Sequence, residues 1–373
     1  MAESSQYELV ERIHASGRSC VIALTGGGSR AIADLLEVPG ASATMLEAVV
    51  PYAPEALADW LGGVVDHACS EPTARAMAMA AFERARVLSG ADPSTLRGIG
   101  TTASLATTRP KRGPHRIHIA WQSAQATVSY SSELARGRRT RVEEETVAAE
   151  LALHAVAEAC DATHSPAPQP SDDERVTRRE KRAGREWTEL LLGQRNSVAC
   201  TAGPPPRVLF PGAFHPLHDG HRRMAEIAAA RFGAPVTFEL SIANVDKPTL
   251  DFLEIAERLA GLGEYPVLLT RAATFAEKAA LVPGAVFVVG ADTIARIAES
   301  AYYGGSVARR DGAIAAIAGH GCRFMVFGRV IEHWFHSLSD LRLPDALRTL
   351  CDEVPESEFR AETSSTQLRT RPG

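Results

Sequence analysis

The stretch FPGAFHPLHDGH, residues 210–221, gathers His215, His218 and His221 behind Gly212 and around Pro216. Imidazoles this close together can ligate a metal, donate hydrogen bonds to phosphate oxygens, or simply pack. Their position separates these chemistries. The stretch begins where the apolar run RVLF ends, and it stops where the helical pattern RRMAEIAAARFG starts. An anion at such a junction meets backbone N–H groups and the positive end of a helix dipole. Gly212 lets the backbone come close to a ligand, and Gly220 lets His218 and His221 converge. Imidazole donors placed there can stabilise charge building on a leaving pyrophosphate. A metal is less well served: no HExxH helix is present and no cysteine is near. Each histidine alone would be ordinary on a surface or in a core. Strand end, glycine, proline, paired histidines and helix start together favour phosphate chemistry.

The elements that must hold these residues form a plain alternation. RVLFPG, VTFELSIA, PVLLTR, AVFVVG and CRFMVFGR read as buried strands, separated by the helical patterns DGHRRMAEIAAARFG, TLDFLEIAERLAGL and TFAEKAALV. That spacing implies parallel βαβ units with the ligand at the carboxyl ends of the strands. In the first half SCVIAL reads as a strand, and SRAIADLLEV as a helix after a glycine turn. EPTARAMAMAAFERARVLSG reads as an amphipathic helix starting near Ser70 or Glu71 and ending at Gly90. HRIHIAWQS and ATVSYSSE suit a strand pair, and EEETVAAELALHAVAEAC a long helix. Proline and charge crowd residues 162–187, and TAGPPPR follows at 201. The expected organisation is therefore a domain over 1–160, a linker over 161–205 carrying WTELLLGQ as a short helix, and a second domain over 206–373.

A chain of 373 residues is long enough for two separate cores, and 45% hydrophobic with 23% charged residues is an ordinary globular composition. A formal charge of -5 argues against a broad nucleic-acid surface. No apolar run approaches a membrane span, and the polar, acidic N-terminus suits neither a signal nor a transit peptide. The six cysteines are dispersed without a CxxC pair, which fits reduced thiols. The expectation is a cytoplasmic protein whose partners are small nucleotides, not nucleic acid or membrane, with a homo-oligomer compatible.

Beyond chemistry by position, GAFHPLHDGH resembles the GxFxPxHxGH signature of the HxGH nucleotidylyltransferases, which include nicotinamide mononucleotide and phosphopantetheine adenylyltransferases. The family's late signature, ISSTxxR, is matched by TSSTQLR at 363–369, with Thr363 in place of isoleucine. FVVGADTIARI resembles the GxD segment of the mononucleotide adenylyltransferases, and NVDKPTL supplies a basic residue after the second strand. The resemblance covers residues 206–373 and implies a Rossmann-like fold acting on ATP, with Mg2+ carried by the phosphates and no metal held by the protein. It implies His218, His221, Lys247 and Arg369 at the phosphates. Gly212, Ala213, Phe214, His215, Gly220, Gly290, Asp292, Ser364, Ser365 and Thr366 would cradle the nucleotide. Arg329 and Trp334 would meet the acceptor, Trp334 by stacking on a pyridine ring. Ala213 stands where the family often has Thr or Ser.

VPGASATMLEAVVPYAPEAL (38–57) and CSEPTARAMAMAA (69–81) resemble the CinA C-terminal domain, the nicotinamide-nucleotide amidases, over about residues 7–160. The implied fold is an α/β sandwich. The catalytic positions depart from the family. Counting back from PGAS puts Leu24 at its Glu and Thr25 at its nucleophilic Ser, while anchoring on TGG puts Ala23 at that Ser. Tyr52 matches the family's Tyr, but Leu57 replaces its Lys. A hydroxyl nucleophile needs a neighbouring base, so this half is expected to be a catalytically degenerate binding or assembly domain. The function expected of the chain is adenylyl transfer to nicotinamide or nicotinate mononucleotide. The rivals are a cytidylyl- or pantetheine-directed transferase and a non-enzymatic pyridine-nucleotide sensor or scaffold.

Overall fold

The computed structural model describes residues 2–108, 113–244, 248–331 and 334–360, and for 2–4, 330, 331 and 334 the backbone alone. The chain divides into two compact units, Met1–Leu192 with Asp246–Ile255, and Gly193–Val245 with Ala256–Gly373.

In the first unit α1 (Ala2–His14) leads into β1 (Ser19–Thr25), α2 (Arg30–Glu37), the short α3 (Ala41–Thr44), β2 (Met45–Val49), α4 (Pro54–Leu61) and α5 (Glu71–Leu88). There follow β3 (Leu96–Ser104), β4 (His115–Gln122), β5 (Ala126–Leu134), α6 (Arg141–Ala159), β6 (Thr177–Arg182) and α7 (Arg185–Leu192). The sheet runs β2-β1-β3-β4-β5-β6; β1 is parallel to β2 and β3, and the later pairs are antiparallel. SCVIALT is covered on both faces, which is why it reads as an unbroken apolar run. Ile22 and Leu24 join a core with α1, α2 and α6, while Ala23 joins Leu57, Leu61 and Met77 of α4 and α5.

Helix α5 begins where the Ser70 hydroxyl accepts the Thr73 N–H at 3.3 Å. It is buried more broadly than an amphipathic stripe requires, because it lies directly on β3. A Cβ placed on Gly98 would sit 2.1 Å from the Phe82 nitrogen, and one on Gly100 would sit 2.2 Å from the Ala74 carbonyl oxygen. Glycines on the strand and alanines on the helix let the two backbones touch.

The segment expected as a linker over 161–205 does carry the short helix, as α7. It also carries β6, paired along β5, and β7 (Ser197–Ala199), paired with a strand of the second sheet. Proline and charge hid these strands: TRREKR has no apolar face because an edge strand can leave its side chains in solvent.

The second unit continues with β8 (Val208–Pro211), α8 (Asp219–Phe232), β9 (Val236–Ser241), α9 (Phe252–Leu262), β10 (Val267–Thr270), α10 (Phe275–Leu281) and β11 (Val286–Gly290). It ends with α11 (Ala291–Ala298), α12 (Val307–Gly319), β12 (Arg323–Phe327), the hairpin β13 (Arg329–Ile331) and β14 (Trp334–His336), α13 (Asp345–Arg348) and β15 (Cys351–Val354). The sheet order is β15-β12-β11-β8-β9-β10-β7, parallel except for β7. Chain order reverses between β8 and β11. A doubly wound sheet opens a crevice for ligands at that point, beyond the carboxyl ends of the strands. Both units are α/β, as the alternation predicts. Among the described residues no helix is long and apolar enough to cross a membrane.

Candidate functional site

A cavity of about 260 Å3 lies at the reversal point, lined from β8 by Phe210 and Pro211 and from β11 by Val289 and Gly290. The turn between β8 and α8 forms one wall. Phe214 takes a left-handed backbone (φ 48°) and turns its ring back under the turn, 3% exposed, with its centroid 5.2 Å from Phe210 and 4.8 Å from Phe238. Gly212 permits this, since a Cβ there would lie 2.6 Å from the Phe214 ring. The missing side chain thus makes room for the protein's own aromatic ring.

His218 precedes α8 in extended conformation, and His221 follows one turn in. Their rings stack at 3.7 Å with 23° between planes, and the His218 N–H points at His221 Nδ1 at 3.4 Å. That contact leaves the His221 proton on Nε2 when the ring is neutral. His218 Nδ1 is buried and has no hydrogen-bond partner among the described residues. Burial pushes the His221 pKa down to about 4, helped by His218 and Arg329, and burial followed by Arg329 also lowers His218. Two uncharged imidazoles therefore wait at a helix N-terminus, in an environment that an incoming polyphosphate would reverse by supplying negative charge.

On the facing wall Gly290 precedes α11, and Asp292 in its first turn pairs with Arg329 Nη1 at 3.2 Å. Both side chains are partly exposed. The structure thus brings Gly212, Phe214, His218, Gly220, His221, Gly290, Asp292 and Arg329 to one cavity. His215 and Ala213 are exposed and outside its lining. Ala213 instead uses its carbonyl to accept Arg258 Nη1 at 3.4 Å. Lys247, Ser364, Ser365, Thr366 and Arg369 lie outside the described residues. Trp334 belongs to β14 opposite Ile331, and its side chain is not described. Sequence reasoning missed Phe327, Phe359 and Thr293 as lining residues. Phe327 ends a legible strand, whereas Phe359 follows the last strand in irregular chain and carries no periodic signal.

The position, the turn and the paired histidines now stand together with the result of comparison. Residues 209–371 match the cytidylyltransferase-like family model. The second unit accordingly carries a nucleotidyltransferase-type domain, and its cytidylyltransferase-like segment opens on β8. Solved structures similar to the chain include the competence/damage-inducible protein CihA from Agrobacterium tumefaciens, at 22% identity over 42% of this chain and 92% of that one, TM-score 0.32. A competence-damaged protein (CinA) superfamily protein from Klebsiella pneumoniae matches at 20% identity over 42% and 99%, TM-score 0.33. Another from Escherichia coli matches at 18% identity over 43% and 88%, TM-score 0.30. Comparison with curated proteins gave no match.

In the first unit Thr25 ends β1, 8% exposed, opposite Thr102. Tyr52 is 66% exposed, and Leu57 is in the core. The glycine turn after Thr25 is held from within: Glu145 on α6 accepts from the Gly28 N–H at 3.0 Å, the Ser29 N–H at 2.6 Å and the Ser29 hydroxyl at 2.8 Å.

Proposed function

We propose that the second unit joins the AMP moiety of ATP to the phosphate of nicotinamide or nicotinate mononucleotide, releasing pyrophosphate. The observation that carries this reading is the cavity at the strand-order reversal, where His218 keeps a ring nitrogen that no described residue partners, beside His221 at the start of α8. A phosphate oxygen of the acceptor attacks the α-phosphorus in line. The new O–P bond forms as the bond to the bridging oxygen breaks, and pyrophosphate leaves with that electron pair. No covalent enzyme intermediate is needed; the protein positions the reactants and stabilises charge.

His218 and His221 would hydrogen-bond the phosphates, and Asp292 would meet ribose hydroxyls on exchanging its contact with Arg329. Arg329 then faces the acceptor phosphate. Lys247, Ser364, Ser365, Thr366 and Arg369 enter on the resemblance alone, as groups closing over the triphosphate, and Trp334 as a ring beneath the pyridine. Asp292 is the one carboxylate among the described lining residues, and Arg329 engages it. That donor set fits Mg2+ arriving with the triphosphate, where it neutralises charge, better than an ion caged by side chains.

We read the first unit as a domain without amidase chemistry. Leu57 in the core offers no base, and Glu145 fills the donors of the glycine turn. The description of the matching family favours one second reading, cytidylyl transfer. The full chain incubated with Mg2+ and either ATP or CTP, against both pyridine mononucleotides, phosphopantetheine and choline phosphate, separates the readings by product mass. A dinucleotide from ATP and a pyridine mononucleotide is expected. A cytidylylated product would replace the reading, and no product from any pair would leave a binding protein.

A further inference from the structure

Strand β12 is held on both sides where it reaches the cavity, with Phe327 registered to Gly290 of β11 and to Val354 of β15. A single buried residue, Gly328, then separates it from β13, whose first residue Arg329 lies opposite His336 of β14. Gly328 and Arg329 both line the cavity. Arg329 is the only arginine or lysine among the described lining residues.

Two strands of three residues each do not hold a place by their own pairing, since an isolated hairpin is marginal in water. The contact of Arg329 with Asp292 at 3.2 Å adds little, because both partners are partly in solvent. The seat of the hairpin is Gly328. A Cβ there would fall 2.6 Å from Cε1 of the Phe335 ring, closer still to its Cζ, and 2.9 Å from the His336 carbonyl oxygen. The bare glycine thus lets β14 and one aromatic ring close over the end of β12. Phe335 is half-buried, and its partner across the hairpin is Val330, the residue that follows Arg329. The ring that fixes β14 therefore fixes the strand pair to which Arg329 belongs. The wall formed by the β8–α8 turn has the same construction, with Phe214 folded against Gly212. There the glycine and ring present a histidine; here they present the cation.

We propose that Phe335, seated on Gly328, is a positioning residue that presents Arg329 to the phosphate of the acceptor, so that the hairpin sets acceptor affinity separately from ATP affinity. This rests on the nucleotidyl-transfer reading, in which Arg329 faces that phosphate. The histidine turn is built on β8 and α8, and loss of the hairpin's seat leaves it in place.

The test measures steady-state transfer by the full chain with ATP and nicotinamide mononucleotide, or nicotinate mononucleotide if only that is accepted, varying each in turn. Arg329→Met is expected to raise KM for the mononucleotide about tenfold by removing its cation. Phe335→Ala and Gly328→Ala should each raise the same constant about fivefold, with KM for ATP within about twofold of wild type. The deciding variant is Arg329→Met/Phe335→Ala. A ring that acts only through Arg329 has nothing left to position, so the double variant should match Arg329→Met alone. Should Phe335→Ala or Gly328→Ala fail to fold, Phe335→Leu takes its place in the cycle, with a smaller change in the same direction. Effects that multiply in the double variant, or a KM for ATP that rises as much as that for the acceptor, would overturn the proposal. So would a lower melting temperature with both constants unchanged per folded molecule, which leaves Phe335 structural. A wild type that transfers to neither pyridine mononucleotide removes the reading beneath it. A wild type that transfers, matched by the Phe335 and Gly328 variants, removes the positioning role alone.

Discussion

Each unit places a glycine turn between a buried strand and a helix, and the two turns differ in what their polar groups meet. After β1 the amides of Gly28 and Ser29 are taken by the Glu145 carboxylate. After β8 the turn opens on a cavity, and an imidazole nitrogen of His218 has no partner among the described residues. The local architecture is nearly the same. What separates a structural turn from a candidate site is the group left over once the protein has paired its own.

The contrast is most exposed at the histidines. His218→Ala or His221→Ala should cut kcat/KM by about 100-fold or more, each removing a donor to developing charge. Pyrophosphate release, with circular dichroism to confirm folding, measures it. Near-normal turnover in either folded variant would erase the distinction between the turns.

The reverse substitution sharpens the other side. Glu145→Ala leaves two backbone donors without their acceptor and should lower stability by about 1–3 kcal/mol, read by urea unfolding, with transfer kinetics unchanged. A variant of wild-type stability that binds inorganic phosphate would turn the first turn into a site.

A smaller effect follows from pH. The folded pKa of His221, about 4, lies below its ordinary 6.5, so the unfolded chain takes up the proton first as pH falls. The stability that the neutral ring allows is complete above pH 6.5 and declines towards pH 4, by at most about 1.4 kcal/mol per pH unit. His118 and His154, lowered by burial, slope the same way, so the relevant quantity is wild type minus His221→Asn. Parallel profiles for the two proteins would contradict the burial of His221. The smallest expected signal is none: ammonia from nicotinamide mononucleotide should stay at the buffer level. Release at enzymatic rates, lost in Thr25→Val, would make the first unit a second active domain.

The parallel strands of the second unit were legible because strands covered on both faces are unbroken apolar runs, as in AVFVVG. TRREKR was not, since β6 owes its place to pairing with β5 and to arginines that meet Glu158 and Glu71 on the helices. The histidine cluster was legible as to type, position and the convergence of His218 with His221, but not as to what seats their turn on the sheet. That depends on Phe214 folding under Gly212, which no one-dimensional spacing expresses. The Arg75–Asp251 pair joins residues 176 apart in the chain, and neither has a local pattern that names the other.

The contact of α5 with β3, backbone against backbone across Gly98 and Gly100, has a volumetric consequence. Where no side chains interdigitate there is little unfilled space to surrender, and pressure unfolds proteins by eliminating such space. Under hydrostatic pressure this seam should therefore be among the last parts of the first unit to yield. Amides of Gly98 and Gly100 should still be protected after those of the more loosely filled periphery have exchanged.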